Sequence, residues 1–249
     1  MIEMQHIHKT FNSGKANEVK ALNDISLTID EKQFLVIVGS NGSGKTTLLN
    51  IIAGAETCSD GKILINDIDV TSLPEYKRSK WIARVFQNPL SGTAPDLSIT
   101  DNFRLAALRT QTKKLSIGIN TQFKNKVKEK IALLKMGLEN KIEQPMGTLS
   151  GGQRQALTLL MSVMDETKIL LLDEPTAALD PRSANIILQT ADWLIKEYQL
   201  TAILITHNLK EAHLYGNRLI QMSEGIILKD LNAEQKNNLL LNDLFGWFA

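Results

Sequence analysis

The chain has 249 residues, 43% of them hydrophobic, and a formal net charge of +1. This length suffices for one large α/β domain or for a core with a smaller insertion, and it excludes several independent domains. The near-neutral charge argues against a surface devoted to nucleic acid, so we expect no nucleic-acid partner. With Cys58 as its single cysteine, the chain can form neither an internal disulfide nor a cysteine-ligated metal centre.

The apolar residues are spread too thinly for a membrane span. The opening residues lack the basic flank and apolar stretch of a secretion signal, and no window reaches the roughly 18 apolar residues that would cross a bilayer. We therefore expect a soluble protein that reaches a membrane only through a partner.

The first third of the chain is predicted to form strands around one helix. Apolar patterning predicts strands at 2–8, 25–29 and 34–38, and the last of these, a continuous apolar run before a glycine-rich turn, is typical of a buried strand. A helix is predicted at 45–53, ending near Gly54, and a further strand at 62–66.

A mostly helical insertion is predicted over residues 89–154. Its first residues, rich in proline and glycine, mark a loop, and apolar residues at helical spacing from Phe123 to Leu138 predict a helix that stops near Gly137. Residues 101–141 hold ten Lys or Arg against three Asp or Glu. This charge favours a solvated helix face and leaves open a surface for anionic lipid or a polar partner.

The rest of the chain returns to an α/β pattern. Short apolar runs at 169–172 and 202–205 predict buried strands separated by helices, as in a mainly parallel sheet with helices on both faces. We therefore expect a single domain over residues 1–249, with a core formed by 1–88 and 155–249.

The turn after the strand at 34–38 fits the GxxxxGK[ST] phosphate loop. Glycines allow the backbone to wrap around phosphate oxygens, a lysine reaches the β and γ phosphates, and the hydroxyl after it can bind Mg²⁺. The eight residues of this loop are Gly39, Ser40, Asn41, Gly42, Ser43, Gly44, Lys45 and Thr46.

Two carboxylates follow the apolar run at 169–172. Burial of that strand places Asp173 and Glu174 at the carboxyl edge of the sheet. Asp173 suits the Mg²⁺ shell, and Glu174 is suited to polarise or deprotonate an attacking water. Beside a phosphate loop, this pair favours ATP hydrolysis over a plain surface turn.

A third motif separates this chain from other phosphate-loop proteins. Residues 149–155 read LSGGQRQ, in which a hydroxyl and two glycines precede a predicted helix whose N-terminus can face an anion. This run resembles the signature sequence of the ABC ATPases. With the phosphate loop and the two carboxylates in this order, the chain resembles the nucleotide-binding subunit of an ABC transporter over nearly its whole length. The resemblance implies a P-loop NTPase (RecA-like) core with an N-terminal antiparallel β subdomain and an inserted α-helical subdomain that carries the signature.

The same resemblance assigns further residues. It implies that Phe11 stacks on adenine, that Gln87 occupies the Q-loop, that Asp180 ends the D-loop and that His207 is the switch histidine. The implied catalytic residues are Glu174, His207, Gln87 and Lys45, and the implied Mg²⁺ ligands are Thr46, Gln87 and Asp173. Beyond the phosphate loop and Phe11, the implied ATP-binding residues are Thr47, Ser150, Gly151, Gly152, Gln153 and Asp180.

The family pattern also implies partners. Two such subunits, here expected to be identical, meet head to tail, and Ser150, Gly151 and Gly152 of one face the γ-phosphate held by Lys45 of the other. The pair binds transmembrane permease subunits at the cytoplasmic face of the cell membrane, and a solute-binding protein delivers the solute. The alternative is a soluble ABC ATPase of the DNA-repair or translation-factor type, which the single cassette and short insertion disfavour.

A finer resemblance concerns the transported solute. Residues 86–95, 17–19 and 153–161 resemble those of bacterial ATPases for tryptophan/tyrosine-type or related small-solute uptake. The resemblance implies import of an amino acid or similar small solute. Residues 89–95 with 97–102 are expected to help form the groove for the permease, with a plain connecting loop as the alternative. The apolar stretch 239–248 is expected to pack on its own domain, with a partner contact as the alternative.

Overall fold

A computed structural model describes residues 1–109 and 118–248 of the protein. The strands in these residues are β1 (Ile2–Phe11), β2 (Val19–Ile29), β3 (Phe34–Val38), β4 (Asp60–Ile65), β5 (Ile68–Asp69), β6 (Ile82–Val85), β7 (Ile169–Asp173), β8 (Thr201–Ile205), β9 (Arg218–Ser223) and β10 (Ile226–Leu231). The α-helices are α1 (Lys45–Ala53), α2 (Glu75–Arg78), α3 (Ile99–Ala106), α4 (Thr121–Ala132), α5 (Gly151–Ser162), α6 (Pro181–Glu197), α7 (Leu209–Leu214), α8 (Ala233–Asn237) and α9 (Leu241–Gly246). A 3₁₀ turn spans Met146–Thr148.

The described residues form two compact units. The first unit comprises residues 1–78 and 199–249, and the second comprises residues 79–198. The predicted insertion at 89–154 lies wholly within the second unit, and its boundaries remain a prediction. The charge-rich range 101–141 includes residues 110–117, with Lys113 and Lys114, which lie outside the described residues.

An antiparallel sheet forms the N-terminal part of the first unit, as predicted. Its strands lie in the order β2, β1, β4, β5. Strands β1 and β2 are longer than the predicted ranges, because Thr10 pairs with Lys20 and Phe11 pairs with Val19. Backbone pairing therefore continues through polar residues, such as Thr10 and Lys20, that interrupt the apolar pattern.

A parallel group of strands forms the rest of the first unit's sheet structure. Strand β3 pairs in parallel with β8 and with β9, and β10 pairs antiparallel with β9. All five residues of β3 and all five of β8 are buried, which agrees with the apolar runs predicted at 34–38 and 202–205. Helix α1 has the predicted bounds, because Gly44 and Gly54 adopt the left-handed conformation at its two ends, with φ of 96° and 81°.

The second unit combines a parallel strand pair with helices. Strand β6 pairs in parallel with β7, and the residues of β7 are all buried. The helix predicted to run to Gly137 ends at Ala132 in α4, so the prediction is wrong over its last turn. Lys135 and Gly137 have positive φ values of 53° and 70°, which a right-handed helix cannot contain. Leu138 is nevertheless buried, and it reaches the core from this turn.

The apolar C-terminal stretch contacts its own unit. Leu244 on α9 is fully buried, a ring nitrogen of His213 lies 2.9 Å from the Leu239 carbonyl oxygen, and Gln221 donates to the Trp247 carbonyl at 3.1 Å. Leu240 and Phe245 remain exposed. The stretch is therefore anchored by one buried leucine and by hydrogen bonds to its backbone.

Lys236 on α8 is a charged residue in an apolar position. It is 4% exposed, and its ammonium donates to the carbonyl oxygens of Tyr215 and Gly216. Burial lowers the pKa of Lys236 from its ordinary value of 10.5 to about 8. Between these two values the unfolded chain holds a proton that the folded chain has released. The contribution of Lys236 to folding stability must therefore rise with pH across this window.

We predict that Lys236→Met changes the pH dependence of stability. The free energy of unfolding of the wild type, relative to that of the variant, should increase as the pH rises from 8 toward 10.5, because the cost of burying the ammonium disappears. Urea titrations at pH 7.5 and 9.5 would measure it. The exposed Lys210, substituted in the same way, is the control, and a difference that stays constant with pH would contradict the prediction.

Candidate active site

Two of the three glycines in the phosphate loop, Gly39 and Gly44, are required by close backbone approaches in the first unit. A Cβ atom at Gly39 would lie 2.3 Å from the Met222 carbonyl oxygen, and one at Gly44 would lie 2.5 Å from that of Ala21. Gly44 is also the N-cap of α1 and has no side chain with which to cap the helix. A bound anion can take the place of that cap, since a helix N-terminus attracts negative charge.

Lys45 lies within the loop that precedes it. The residue is 5% exposed, and its ammonium donates to the carbonyl oxygens of Gly39 at 2.8 Å and Ser40 at 2.9 Å, with Ser43 Oγ at 3.4 Å. These oxygens hold the positive charge at the N-terminus of α1. An ammonium that donates to oxygens of this loop can also donate to the oxygens of a phosphate bound there.

Other predicted residues of the first unit lie at strand and helix ends. Thr46 and Thr47 are in the first turn of α1. His207 follows β8 and is exposed, and the next residue, Asn208, caps α7 by accepting from the Lys210 N–H at 3.0 Å. This cap fixes the backbone that carries the histidine.

Phe11 lies at the last position of β1. The ammonium of Lys9 is 4.7 Å from the centre of the Phe11 ring, and it is also bonded to Glu56 at 3.0 Å. The ring is half-buried. The Phe11 ring, which the family pattern predicts to stack on adenine, therefore has the Lys9 ammonium over one face. The cation is attracted to the negative electrostatic potential of that face.

The second unit brings together the predicted water-activating residues. Asp173 is the last residue of β7, and Glu174 follows it. Gln87 Nε2 donates to Glu174 Oε2 at a long 3.4 Å. Glu174 has a φ of 44°, which a glutamate seldom adopts and which turns the chain sharply at the strand end. Asp173 is buried, and its Oδ2 accepts from Arg84 Nη2 at 2.7 Å.

The signature serine is a helix cap. Ser150 precedes α5, its hydroxyl accepts from the Gln153 N–H at 3.3 Å, and the Gln153 side chain accepts from the Ser150 N–H at 3.2 Å. This reciprocal capping box confirms the predicted helix start. Asp180 caps α6 by accepting from the Arg182 and Ser183 N–H groups, both at 3.0 Å. Hydrogen bonding from Ser183 holds the pKa of Asp180 below its usual value.

The two signature glycines differ in their surroundings. A Cβ atom at Gly152 would lie 2.9 Å from both the Cβ and the Oγ of Ser183 on α6, whereas one at Gly151 would approach Leu179 only to 3.4 Å. The absence of a side chain at Gly152 therefore lets α5 approach α6. Packing within the chain does not require a glycine at position 151.

Two residues of the signature run have roles that the sequence did not predict. Gln155 is buried, and its Nε2 donates to the carbonyl oxygens of Phe86 at 2.9 Å and Pro175 at 3.1 Å. Arg154 is also buried and donates to the Gly147 and Leu149 carbonyl oxygens, both at 3.0 Å. Polar residues on the buried side of a predicted helix were the available signal, since such groups need partners.

The arginine paired with Asp173 was also missed. Arg84 belongs to the otherwise apolar strand β6, where a charged residue requires a partner of opposite charge.

The protein side chains alone do not form a metal-binding cluster in the described part of the chain. Residues 1–109 and 118–248 contain no group of three or more His, Cys, Asp or Glu that could hold an ion.

A family model described as ABC transporter matches residues 22–177 of the chain. The chain belongs to the ABC transporter family. This membership, predicted from the three motifs, makes the chain an ABC ATPase that binds ATP and hydrolyses it in the service of transport.

Relatives of this ABC ATPase cover its whole length. It is 35% identical over 248 residues to a tyrosine transport ATP-binding protein of Clostridioides difficile, a match that covers 100% of this chain and 98% of the relative. It is 32% identical over 241 residues to the ABC transporter ATP-binding protein YtrE of Bacillus subtilis, with coverage of 94% and 100%. The transporter names of these relatives disfavour the DNA-repair or translation-factor alternative.

A solved ATP-binding cassette has the same fold. A dimeric post-hydrolysis cassette bound to ADP and Pi is similar with a TM-score of 0.80 and 26% identity, covering 94% of this chain and 99% of that one. The predicted P-loop NTPase fold is thus confirmed. Within the described parts of this ABC ATPase, every helix is too short or too polar to cross a membrane.

We predict that Gly152→Ala destabilises this ABC ATPase and that Gly151→Ala does not. The methyl group at 152 must displace Ser183, at a cost of about 1–3 kcal/mol in the free energy of unfolding, whereas the methyl group at 151 makes an ordinary contact. Urea unfolding of both variants would measure this difference. Ser183→Gly in the Gly152→Ala background should recover part of the loss, and equal stability of the two alanine variants would refute the packing role.

Proposed function

We propose that this ABC ATPase powers the import of an aromatic amino acid such as tyrosine, or of a similar small solute. The full-length match to a tyrosine transport ATP-binding protein is the observation that carries this proposal. Other relatives are named for spermidine/putrescine and phosphonates, so the cassette itself is compatible with several solutes. The solute would contact the permease and a solute-binding protein rather than this chain.

The proposed nucleotide site consists of the residues that the family pattern assigns to ATP and to the attacking water. The phosphate loop, with Lys45 and Thr47, would hold the phosphates of ATP, and Phe11 would stack on adenine. Glu174 would take a proton from the attacking water, with Gln87 orienting it and His207 as the switch residue. The 3.4 Å contact between Gln87 and Glu174 supports a shared role in placing that water.

Mg²⁺ is the proposed metal, with Thr46, Gln87 and Asp173 as its protein ligands. Mg²⁺ prefers oxygen ligands and is usually bound by one or two carboxylates together with phosphates and water. The single buried carboxylate of Asp173 therefore suits Mg²⁺ better than it suits a metal that requires a full set of protein ligands. When bound, Mg²⁺ would neutralise charge on the transferred phosphoryl group.

The active form is proposed to be a head-to-tail pair of identical chains. Ser150, Gly151, Gly152 and Gln153 of one chain would contact the ATP held by its partner, together with Asp180. The dimeric cassette at 26% identity supports this arrangement. The capping of α5 by Ser150 also supports it, because the cap presents the first turn of this helix in a fixed orientation.

The proposed location is the cytoplasmic face of the cell membrane, through permease subunits.

The proposed docking stretch, residues 89–95, contributes to a cavity of about 380 Å³ in the second unit. Residues 92–94 line this cavity together with Asn102 and other residues of α3. Asn102 holds Ala94 in place, because its side chain accepts from the Ala94 N–H at 2.8 Å and donates to the Ala94 carbonyl at 2.9 Å. We assign permease docking to this cavity, because its lining includes part of the stretch that directly follows Gln87 and Asn88 in the sequence.

We predict that Glu174→Gln leaves ATP binding intact and lowers the hydrolysis rate by about a hundred- to a thousandfold, because it removes the proton acceptor without changing shape. Phosphate release and nucleotide titration would measure the two quantities separately. In cells of the host that encodes the chain, uptake of radiolabelled tyrosine should fall with hydrolysis. The surface variant Glu197→Gln is the control, and wild-type hydrolysis by Glu174→Gln would remove Glu174 from its role. Normal tyrosine uptake with lost hydrolysis would refute the proposed solute.

We predict that two inactive chains restore activity when mixed. Ser150→Arg should block the signature, and Lys45→Ala should weaken phosphate binding, so each homodimer is inactive. A mixed dimer contains one site that combines an intact Lys45 with an intact Ser150, and hydrolysis at saturating protein should therefore reappear. Complete silence from a mixed dimer shown to form by sedimentation would refute the shared site.

A further inference from the structure

Arg84 connects the proposed metal ligand to the cavity in the second unit. Its Nη2 donates to Asp173 Oδ2 at 2.7 Å, and its guanidinium carbon lies 4.6 Å from the centre of the Phe86 ring. Arg84 also lines the cavity of about 380 Å³ in which Arg109 and Ala106 lie. One side chain therefore touches both features that the proposed function requires.

The ion pair of Arg84 is buried but incompletely satisfied. The side chains of Arg84 and Asp173 are only 10% and 11% exposed. Arg84 Nε is buried and lacks a hydrogen-bond partner among the described residues. A buried donor without an acceptor costs free energy. A hydrogen bond from a new acceptor to Arg84 Nε therefore stabilises the structure more than a hydrogen bond to a solvent-exposed donor does.

The loop after Gln87 is in contact with the same cluster. Gly92 has a φ of 81°, and a Cβ atom there would lie 3.3 Å from the Phe86 ring. The backbone of this loop thus packs against the ring that lies over the Arg84 guanidinium. A movement of the loop backbone at Gly92 can therefore be transmitted to Arg84 through the Phe86 ring alone.

We propose that Arg84 is a positioning residue that holds the Asp173 carboxylate away from metal until an acceptor in the cavity draws the guanidinium off. The proposal rests on the proposed function, in which Asp173 binds Mg²⁺ and the cavity receives the permease. The cation neutralises the carboxylate and repels a divalent ion, so release of Asp173 strengthens metal binding. Docking would in this way increase metal affinity.

The chemistry of the cavity selects its occupant. Arg84 and Arg109 both line it, and Ala94, Ala106 and Gly92 leave room for an incoming side chain. Arg109 is already bonded to Asp165 at 2.6 Å and to the Ser162 carbonyl at 3.0 Å, which leaves Arg84 with the unsatisfied donor. The fitting partner is a permease segment that presents a carboxylate or a backbone carbonyl group.

The first test measures how strongly metal tightens nucleotide binding. ADP affinity is determined by calorimetry with and without Mn²⁺, and the ratio of the two dissociation constants reports on the metal without turnover. Arg84→Met should increase this ratio by about fivefold or more, because the competing cation is gone. Arg109→Met removes a cavity arginine with a comparable ion pair whose partner is not a proposed metal ligand, and it should leave the ratio unchanged.

The second test keeps Arg84 and adds an acceptor. Ala106→Glu places a carboxylate in the cavity wall and should increase the same ratio, whereas Leu133→Glu adds the same charge at an exposed position outside the cavity lining. In the Arg84→Met background, Ala106→Glu should add nothing. If Arg84→Met fails to fold, the comparison of Ala106→Glu with Leu133→Glu in the wild-type background still tests the role of Arg84.

The outcomes separate the two proposals. An unchanged or lower ratio in Arg84→Met, or equal effects of the two glutamate variants, would overturn the role of Arg84. A wild-type chain whose ADP binding does not respond to Mn²⁺ would instead contradict the proposed metal site.

Discussion

Two hydrogen bonds from one buried carboxamide join the ends of β6 and β7 in the second unit. Gln155, which is 1% exposed, donates to the backbone carbonyl of Phe86, just after β6, and to that of Pro175, after β7. Gln87 and Glu174 are the neighbours of these two residues along the chain. The distance between Gln87 and Glu174 therefore depends on α5 as well as on their own weak contact, and the N-cap of α5 is the signature serine Ser150.

The sequence predicted the elements whose signals are local. Helix α1 lies between two glycines with positive φ, and β3 is a continuous apolar run, so both were predicted with their observed bounds. The predicted end of α4 was wrong, because the apolar spacing continues through a turn in which the Lys135 backbone adopts the left-handed conformation. Helical periodicity cannot distinguish a buried turn residue from a further helical turn.

The proposed catalytic residues were assigned from motifs, whereas the contacts of their neighbours were not predicted. Asp173 and Glu174 follow a recognisable strand, whereas the contacts of Arg84, Arg154 and Gln155 depend on residues distant in the chain. A buried polar side chain signals that a partner exists and does not identify it. The packing requirement of Gly152 was hidden for the same reason, since its neighbour lies on another helix.

The hydrogen bonds of Lys45 bear on the energetics of the proposed nucleotide site. The Lys45 ammonium already has oxygen partners within the loop, so phosphate binding there would exchange one set of acceptors for another. The favourable free energy of binding would be the difference between the two sets, not the full strength of the new hydrogen bonds. On release of the nucleotide, the loop's own carbonyl oxygens would again accept from the ammonium. Such an exchange would limit how tightly the proposed site holds its product, which suits a nucleotide that must leave in every transport cycle.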